Sequence, residues 1–158
     1  MKKSRILTPM LFLITLGLAG CGGEEAVKPA QPSAAPQRPA QAQAMETRVP
    51  AQRRAYFAFD SSTIDAENRA IIEANAAYLS ANPQVKVTLE GHCDERGTRE
   101  YNLALGERRA QAVERMLRVL GIAGNRISTV SYGEEKPIAM GHDESAWGQN
   151  RRVEIVYK

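Results

Sequence analysis

A chain of 158 residues with 21 Lys+Arg, 18 Asp+Glu, 43% hydrophobic residues and two cysteines has room for one ordinary domain plus tails. The excess of three positive charges lies wholly in Lys2, Lys3 and Arg5: beyond residue 20 the chain has 18 bases and 18 acids, and from Ala55 to Lys158 it has 13 bases and 15 acids. A near-neutral, slightly acidic domain lacks the basic surface that phosphate neutralisation requires, which excludes a nucleic-acid partner.

Residues 1–20 read as a secretory signal. Lys2, Lys3 and Arg5 form its charged start and Ile6 to Leu18 its apolar stretch. That stretch is interrupted by Pro9 and is shorter than the about 17–25 residues a membrane-spanning helix needs. The segment ends Leu18-Ala19-Gly20-Cys21, which resembles the bacterial lipobox. The resemblance implies cleavage before Cys21, an S-diacylglycerol on its thiol and an N-acyl group on the new amine. Two or more chains hold a protein at a bilayer where one binds marginally. Gly22 stands where an Asp would signal inner-membrane retention, so the expected destination is the outer membrane. An ordinary signal with a chance Cys is the alternative. Apart from the covalent lipid, no cofactor is expected.

Residues 21–54 read as a linker. Of the 29 residues from Gly22 to Pro50, 16 are Pro, Ala or Gln, and no apolar period runs through them. Such a tether spans roughly 30 Å as a coil and up to about 95 Å when stretched.

The domain expected over 55–158 opens with an apolar strand, Tyr56-Phe57-Ala58-Phe59, and a turn or cap at Asp60-Ser61-Ser62. A helix follows from Asp65 to Ser80, with Ile71, Ala74 and Tyr78 on one face, Ile72 and Leu79 beside them, and a break at Asn82-Pro83. Val85, Val87 and Leu89 alternate with polar residues as a half-buried strand. A loop over His92–Thr98 leads to a second helix from Arg99 to Leu120, with Leu103, Ala110, Val113, Leu117 and Leu120 as core stripe and Gly121 as C-cap. Ile127 to Ser131 and Arg152 to Tyr157 read as strands, separated by an irregular stretch with Gly133, Pro137 and Gly141. The order βαβα-β-loop-β predicts an α+β sandwich, a mixed sheet with two main helices packed on it.

The chemistry concentrates between Gly91 and Ala110. Asp94 lies in a loop after a strand, and Arg109 lies fifteen positions later inside a helix. Such a pair can hold a small zwitterion, the Arg taking a carboxylate through two parallel N–H bonds and the Asp taking an ammonium. Asn102, Gly106 and Arg109 share a helix face bordering the core. A charge there needs a partner, and Asp94 can supply one, so a structural Arg–Asp salt bridge is the competing reading. Thr98 reads as the second helix's N-cap, with free N–H groups beside it that could meet a carboxylate. Leu103 reads either as pocket wall or as core, Arg151 and Arg152 as pins for the last strand, and Cys93 as a small buried apolar residue. A metal site is not expected: His92 and Cys93 are consecutive on a strand and point apart, and no pair has zinc spacing. Nor does the chain contain Gly-x-Ser-x-Gly or His-Glu-x-x-His, so it reads as a binder and not an enzyme.

The run from Gly91-His92-Cys93-Asp94-Glu95-Arg96-Gly97-Thr98 through Arg109-Ala110 closely resembles the peptidoglycan-binding core of OmpA-like domains. Ser131-Tyr132-Gly133 followed by Pro137, and Asn150-Arg151-Arg152-Val153, extend the resemblance over about Tyr56 to Lys158. Jointly these motifs are highly specific. The resemblance implies that Asp94 and Arg109 hold the diaminopimelate of the peptidoglycan stem peptide, with Asp60 on the rim of the same site. It implies a lipid-anchored outer-membrane protein with its domain in the periplasm, gripping the cell wall in envelope integrity and division. It implies a second partner, the Tol system's periplasmic propeller protein, on an overlapping surface. The alternative is a protein-interaction module with that propeller protein as main ligand.

Overall fold

Strands and helices alternate through residues 48–158, the part of the chain that the computed structural model describes. The expected signal, Cys21 and most of the expected linker lie outside the described residues. In chain order the elements are β1 (Arg54–Tyr56), α1 (Ala66–Ala81), β2 (Val87–His92), α2 (Arg99–Val119), a short 3-10 turn (Gly124–Arg126), β3 (Ile127–Gly133), α3 (Glu144–Asn150) and β4 (Arg152–Tyr157). The sheet runs β1-β4-β2-β3, with β4 antiparallel to both neighbours and β2 parallel to β3. A parallel pair needs a long crossover, and α2 is that crossover. The fold is therefore α+β, a mixed sheet with helices packed on it.

The core forms where one face of the sheet meets α1 and α2. Ala55, Val87, Leu89, Ile127, Val153 and Ile155 from the strands meet Ile72, Ala76, Leu79, Ala110, Val113 and Leu117 from the helices. Full burial of each larger aliphatic side chain contributes about 1.5–3 kcal/mol. α1 starts at Asp65, whose carboxylate accepts the Asn68 amide at 2.8 Å. Ile71, Ile72, Tyr78 and Leu79 are buried as expected, but Ala74 is exposed, while Asn75 and Ala76 are buried. The reason is that Asn75 is satisfied inside. Its amide donates to Gln52 O and Ile71 O, and its oxygen accepts the Tyr157 hydroxyl. Asn68 acts likewise, accepting from Tyr56 N (2.8 Å) and donating to Tyr56 O (2.6 Å), so a side chain stands in for a strand neighbour along the outer side of β1.

α2 ends as expected at Gly121, in a Schellman motif. Gly121 has φ +94°, Gly121 N donates to Arg118 O, and Ile122 N donates to Leu117 O, which brings Ile122 into the core. Its core stripe differs from the expectation. Leu105 is buried where Leu103 was expected, Leu103 is half-buried, and Leu120 is 37% exposed because the helix has already ended at Val119. β1 is shorter and earlier than Tyr56–Phe59, since Phe59 already belongs to a turn. The stretch expected to be irregular contains a third helix, α3, capped by Asp143 accepting from Ala146 N at 2.9 Å. Among the described residues no helix is long and apolar enough to cross a membrane.

Candidate functional site

Two glycines set the site's geometry. A Cβ on Gly91 of β2 would stand 2.0 Å from Gly106 O of α2, and one on Gly106 would stand 2.3 Å from Ser131 Oγ of β3. Without side chains at these points, α2 lies directly on β2 and β3. Arg109, three residues on, then reaches the end of β2.

Arg109 is 0% exposed. Its Nε donates to Ser61 O (2.8 Å), Nη1 to His92 O (2.9 Å) and to Cys93 Sγ (3.4 Å), and Nη2 to Ala58 O (3.0 Å). A guanidinium has five N–H hydrogens. These contacts engage four of them and leave one on Nη2 among the described residues. The two parallel N–H bonds expected for a ligand carboxylate are thus not free in this arrangement. Burial lowers the pKa of Arg109, against the pull of the neighbouring thiol, yet a guanidinium stays charged. Burial pushes the Cys93 thiol up, which suits an unreactive wall residue.

Asp94 is buried too, but its partner is not Arg109, so the structural salt bridge weighed from the sequence does not form. Its Oδ1 accepts Arg96 N (3.1 Å), and its Oδ2 accepts Arg96 Nη2 (2.7 Å) and Arg151 Nη1 (3.2 Å). Burial pushes its pKa up, but the hydrogen bonds from Arg96, side chain and backbone, and from Arg151 bring it below the ordinary carboxylate value. An ionised carboxylate offers about four lone-pair positions, so one, on Oδ1, stays open among the described residues.

Asp94, Arg109, Asp60 and Asn102 line one cavity of about 180 Å³, and Leu105, Arg96 and Arg151 line it with them. Asp60 stands on the rim in the left-handed region (φ 51°), which Asp tolerates better than most residues, and its carboxylate accepts the Tyr101 hydroxyl. Asn102 holds the loop: the two hydrogens of its amide are shared among Asp94 O and Arg96 O, each at 3.2 Å, and Glu134 Oε2 at 2.5 Å. Thr98 and Leu103 are not in the lining. The Thr98 hydroxyl caps α2 at Tyr101 N (3.2 Å), and the Leu103 backbone lies against Gly133 of β3.

Arg96 and Arg151 escaped the sequence reading as site residues. Strand parity carried a signal for Arg151. It is two residues from Val153, which faces the core, so it points the same way at the strand's entry. It does pin the strand start, donating to Phe57 O (2.9 Å), and it also reaches Glu144 (2.6 Å). Arg152 pins the preceding turn through Lys136 O and Asn150 O. His92 and Cys93 fall on opposite faces of the sheet. Among the described residues no three His, Cys, Asp or Glu side chains gather as a metal site.

The domain that carries this pocket matches a known family. Its model, described as the OmpA family, matches residues 56–151, and the chain belongs to that family. Within it the chain is similar to the peptidoglycan-associated lipoproteins. That of Pasteurella multocida (strain Pm70) is 53% identical over 102 residues, covering 65% of this chain and 68% of that one. The crystal structure of the peptidoglycan-associated lipoprotein from Burkholderia pseudomallei matches with a TM-score of 0.67 at 48% identity, over 68% of this chain and 92% of that one. The C-terminal domain of Helicobacter pylori MotB matches with a TM-score of 0.62 at 26% identity, over 66% and 83% of the two chains.

Proposed function

We propose that this chain is an outer-membrane lipoprotein that binds peptidoglycan non-covalently through the diaminopimelate of the stem peptide, tying membrane to cell wall. One observation carries this reading. A buried carboxylate and a buried guanidinium line the same small cavity, each with one hydrogen-bond position still open. The free end of diaminopimelate bears one ammonium and one carboxylate. Asp94 takes the first and Arg109 the second, with Asp60 on the rim and Asn102 fixing the loop. The names of the relatives support the same ligand class. Asp94, held below its ordinary pKa by two guanidinium groups, suits a fixed charge and not a general acid. Cys21 carries the N-acyl and S-diacylglycerol anchor, the stretch between it and the start of the domain at Gln52 is the tether, and the domain works in the periplasm, in envelope integrity and cell division.

Calorimetry with a diaminopimelate-containing stem peptide tests this. The parent protein binds, and Asp94→Asn, with its fold intact by circular dichroism, loses at least about tenfold in affinity, since a buried hydrogen-bonded charge pair is worth about 2–5 kcal/mol when truncated. A folded parent that does not bind removes the reading.

A second reading has its own observation. Two exposed aromatic side chains line the pocket, Phe59 at 57% and Tyr101 at 43% exposure. Such a rim suits a protein partner, and the Tol system's periplasmic propeller protein is the one the family suggests. Competition separates the two: free stem peptide displaces a ligand held in the pocket, whereas a broad protein interface resists it.

A further inference from the structure

Beside Asp94 sits a cation of the protein's own. The Arg96 guanidinium lies between two aromatic rings, 4.1 Å from the centroid of Phe59 and 4.1 Å from that of Trp147. It donates to Asp94 Oδ2 at 2.7 Å and comes within 3.5 Å of Glu144. Its Nε is buried without a partner. Both rings are themselves placed: Trp147 donates through Nε1 to Glu95 Oε1 at 2.9 Å, and Phe59 precedes Asp60, which Tyr101 holds. A flat cation between two ring faces over a carboxylate is how an aromatic cage receives a charged ligand. Here the cage is already filled.

The geometry points to Arg96 as an internal competitor for the ammonium seat, and so as the residue that sets which ligands the pocket admits. This rests on the zwitterion reading of the pocket proposed above. The open position of Asp94 is on Oδ1 while the Arg96 guanidinium holds Oδ2, so an ammonium that seats across both oxygens must displace the guanidinium from Oδ2. A ligand with an amine alone gains one contact at Asp94 and loses the charge-assisted bond and both ring contacts of Arg96. A ligand with an amine and a carboxylate gains the open N–H of Arg109 as well. Its carboxylate also gives the released guanidinium, with its unpartnered Nε, a place to turn to. Arg96 therefore selects for zwitterions by making single charges unprofitable.

The chain has one tryptophan, and it is in the cage. Trp147 emission therefore reports Arg96 directly. The purified full chain, as wild type and as Arg96→Met, is titrated with a diaminopimelate-containing stem peptide and with cadaverine, an amine without a carboxylate. Heat and Trp147 emission are recorded together. In wild type, the peptide binds with a change in emission and cadaverine does not bind measurably. In Arg96→Met, the emission change is lost, cadaverine binds, and the affinity ratio between the two ligands narrows at least about tenfold. Binding of the peptide to wild type without an emission change overturns the proposal, as does an Arg96→Met protein that still excludes cadaverine. Absence of peptide binding to either protein removes the pocket reading itself, and the competitor with it. If Arg96→Met melts early, Arg96→Lys provides the same test, because a lysine keeps a charge near Asp94 but cannot stack as a plane. It is expected to show a reduced emission change and a smaller ligand ratio than wild type, and an unchanged ratio counts against the proposal.

Discussion

Arg109 and Arg96 reach the same cavity, and the protein holds them in opposite ways. Arg109 is sealed and bonded to three backbone carbonyls from two segments, the turn at Ala58–Ser61 and the end of β2. Arg96 is partly exposed and held by a carboxylate and two ring faces. Backbone acceptors cannot rotate away, so the first arrangement is rigid. Side-chain partners can, so the second is adjustable. A pocket assembled from both presents one fixed charge and one that can yield to a ligand.

The sharpest way to break this contrast is to remove Arg109. The buried carbonyl of His92 and the part-buried ones of Ser61 and Ala58 would then lose their donor, at up to about 1–3 kcal/mol each. Arg109→Met is expected to lose about 4 kcal/mol or more of unfolding free energy in urea. A loss below about 1 kcal/mol would show that Arg109 is not part of the frame.

His92, whose carbonyl holds Arg109, gives the next largest effect. Its ring is 2% exposed, and both ring nitrogens are buried without partners. Burial, and then the charge of Arg152, lower its pKa from 6.5 to about 4. Between those values the unfolded chain binds the proton and the folded one does not, so acid favours unfolding. The stability associated with His92 is complete above pH 6.5 and falls by about 3 kcal/mol as the pH drops to about 4. Unfolding free energies of wild type and His92→Phe should lie closest at neutral pH and separate as the pH falls toward about 4, wild type losing stability that the variant keeps; parallel curves would refute the assignment. Asp94, its pKa lowered, adds a loss of the same sign at lower pH.

The smallest effect separates capping from binding. Thr98→Ala removes the α2 cap and is expected to cost about 1 kcal/mol. Its affinity for the stem peptide should stay within about twofold of the parent's, measured by calorimetry. A larger drop would return Thr98 to the site.

Local chemistry made much of this legible in the sequence. Thr98 and Gly121 mark the ends of α2 because caps depend on neighbouring backbone alone. The alternation of Val153, Ile155 and Tyr157 marks β4, and a charge on the inner face of α2 singled out Arg109. What escaped depends on distant segments. Asn75 looks like a solvent residue until Gln52 and Tyr157 arrive to satisfy it. The partners of Asp94 could not be chosen by spacing, because the approach of α2 at Gly91 and Gly106 gives Arg109 to the carbonyls and leaves Asp94 to Arg96 and Arg151. α3 is one short run of seven residues with a glycine inside it, too weak a helix signal without its packing.

The edge of the sheet has a consequence for how many copies can crowd together. β1 is three residues long, and Asn68 already occupies both outward backbone groups of Tyr56, while Asn75 takes the carbonyl of Gln52. A strand edge in that state has little left to template a second chain. The sheet's other edge, β3, then has no β1 edge of a second copy to pair with, so domains concentrated side by side are kept from chaining edge to edge into polymers by two asparagine side chains on the neighbouring helix.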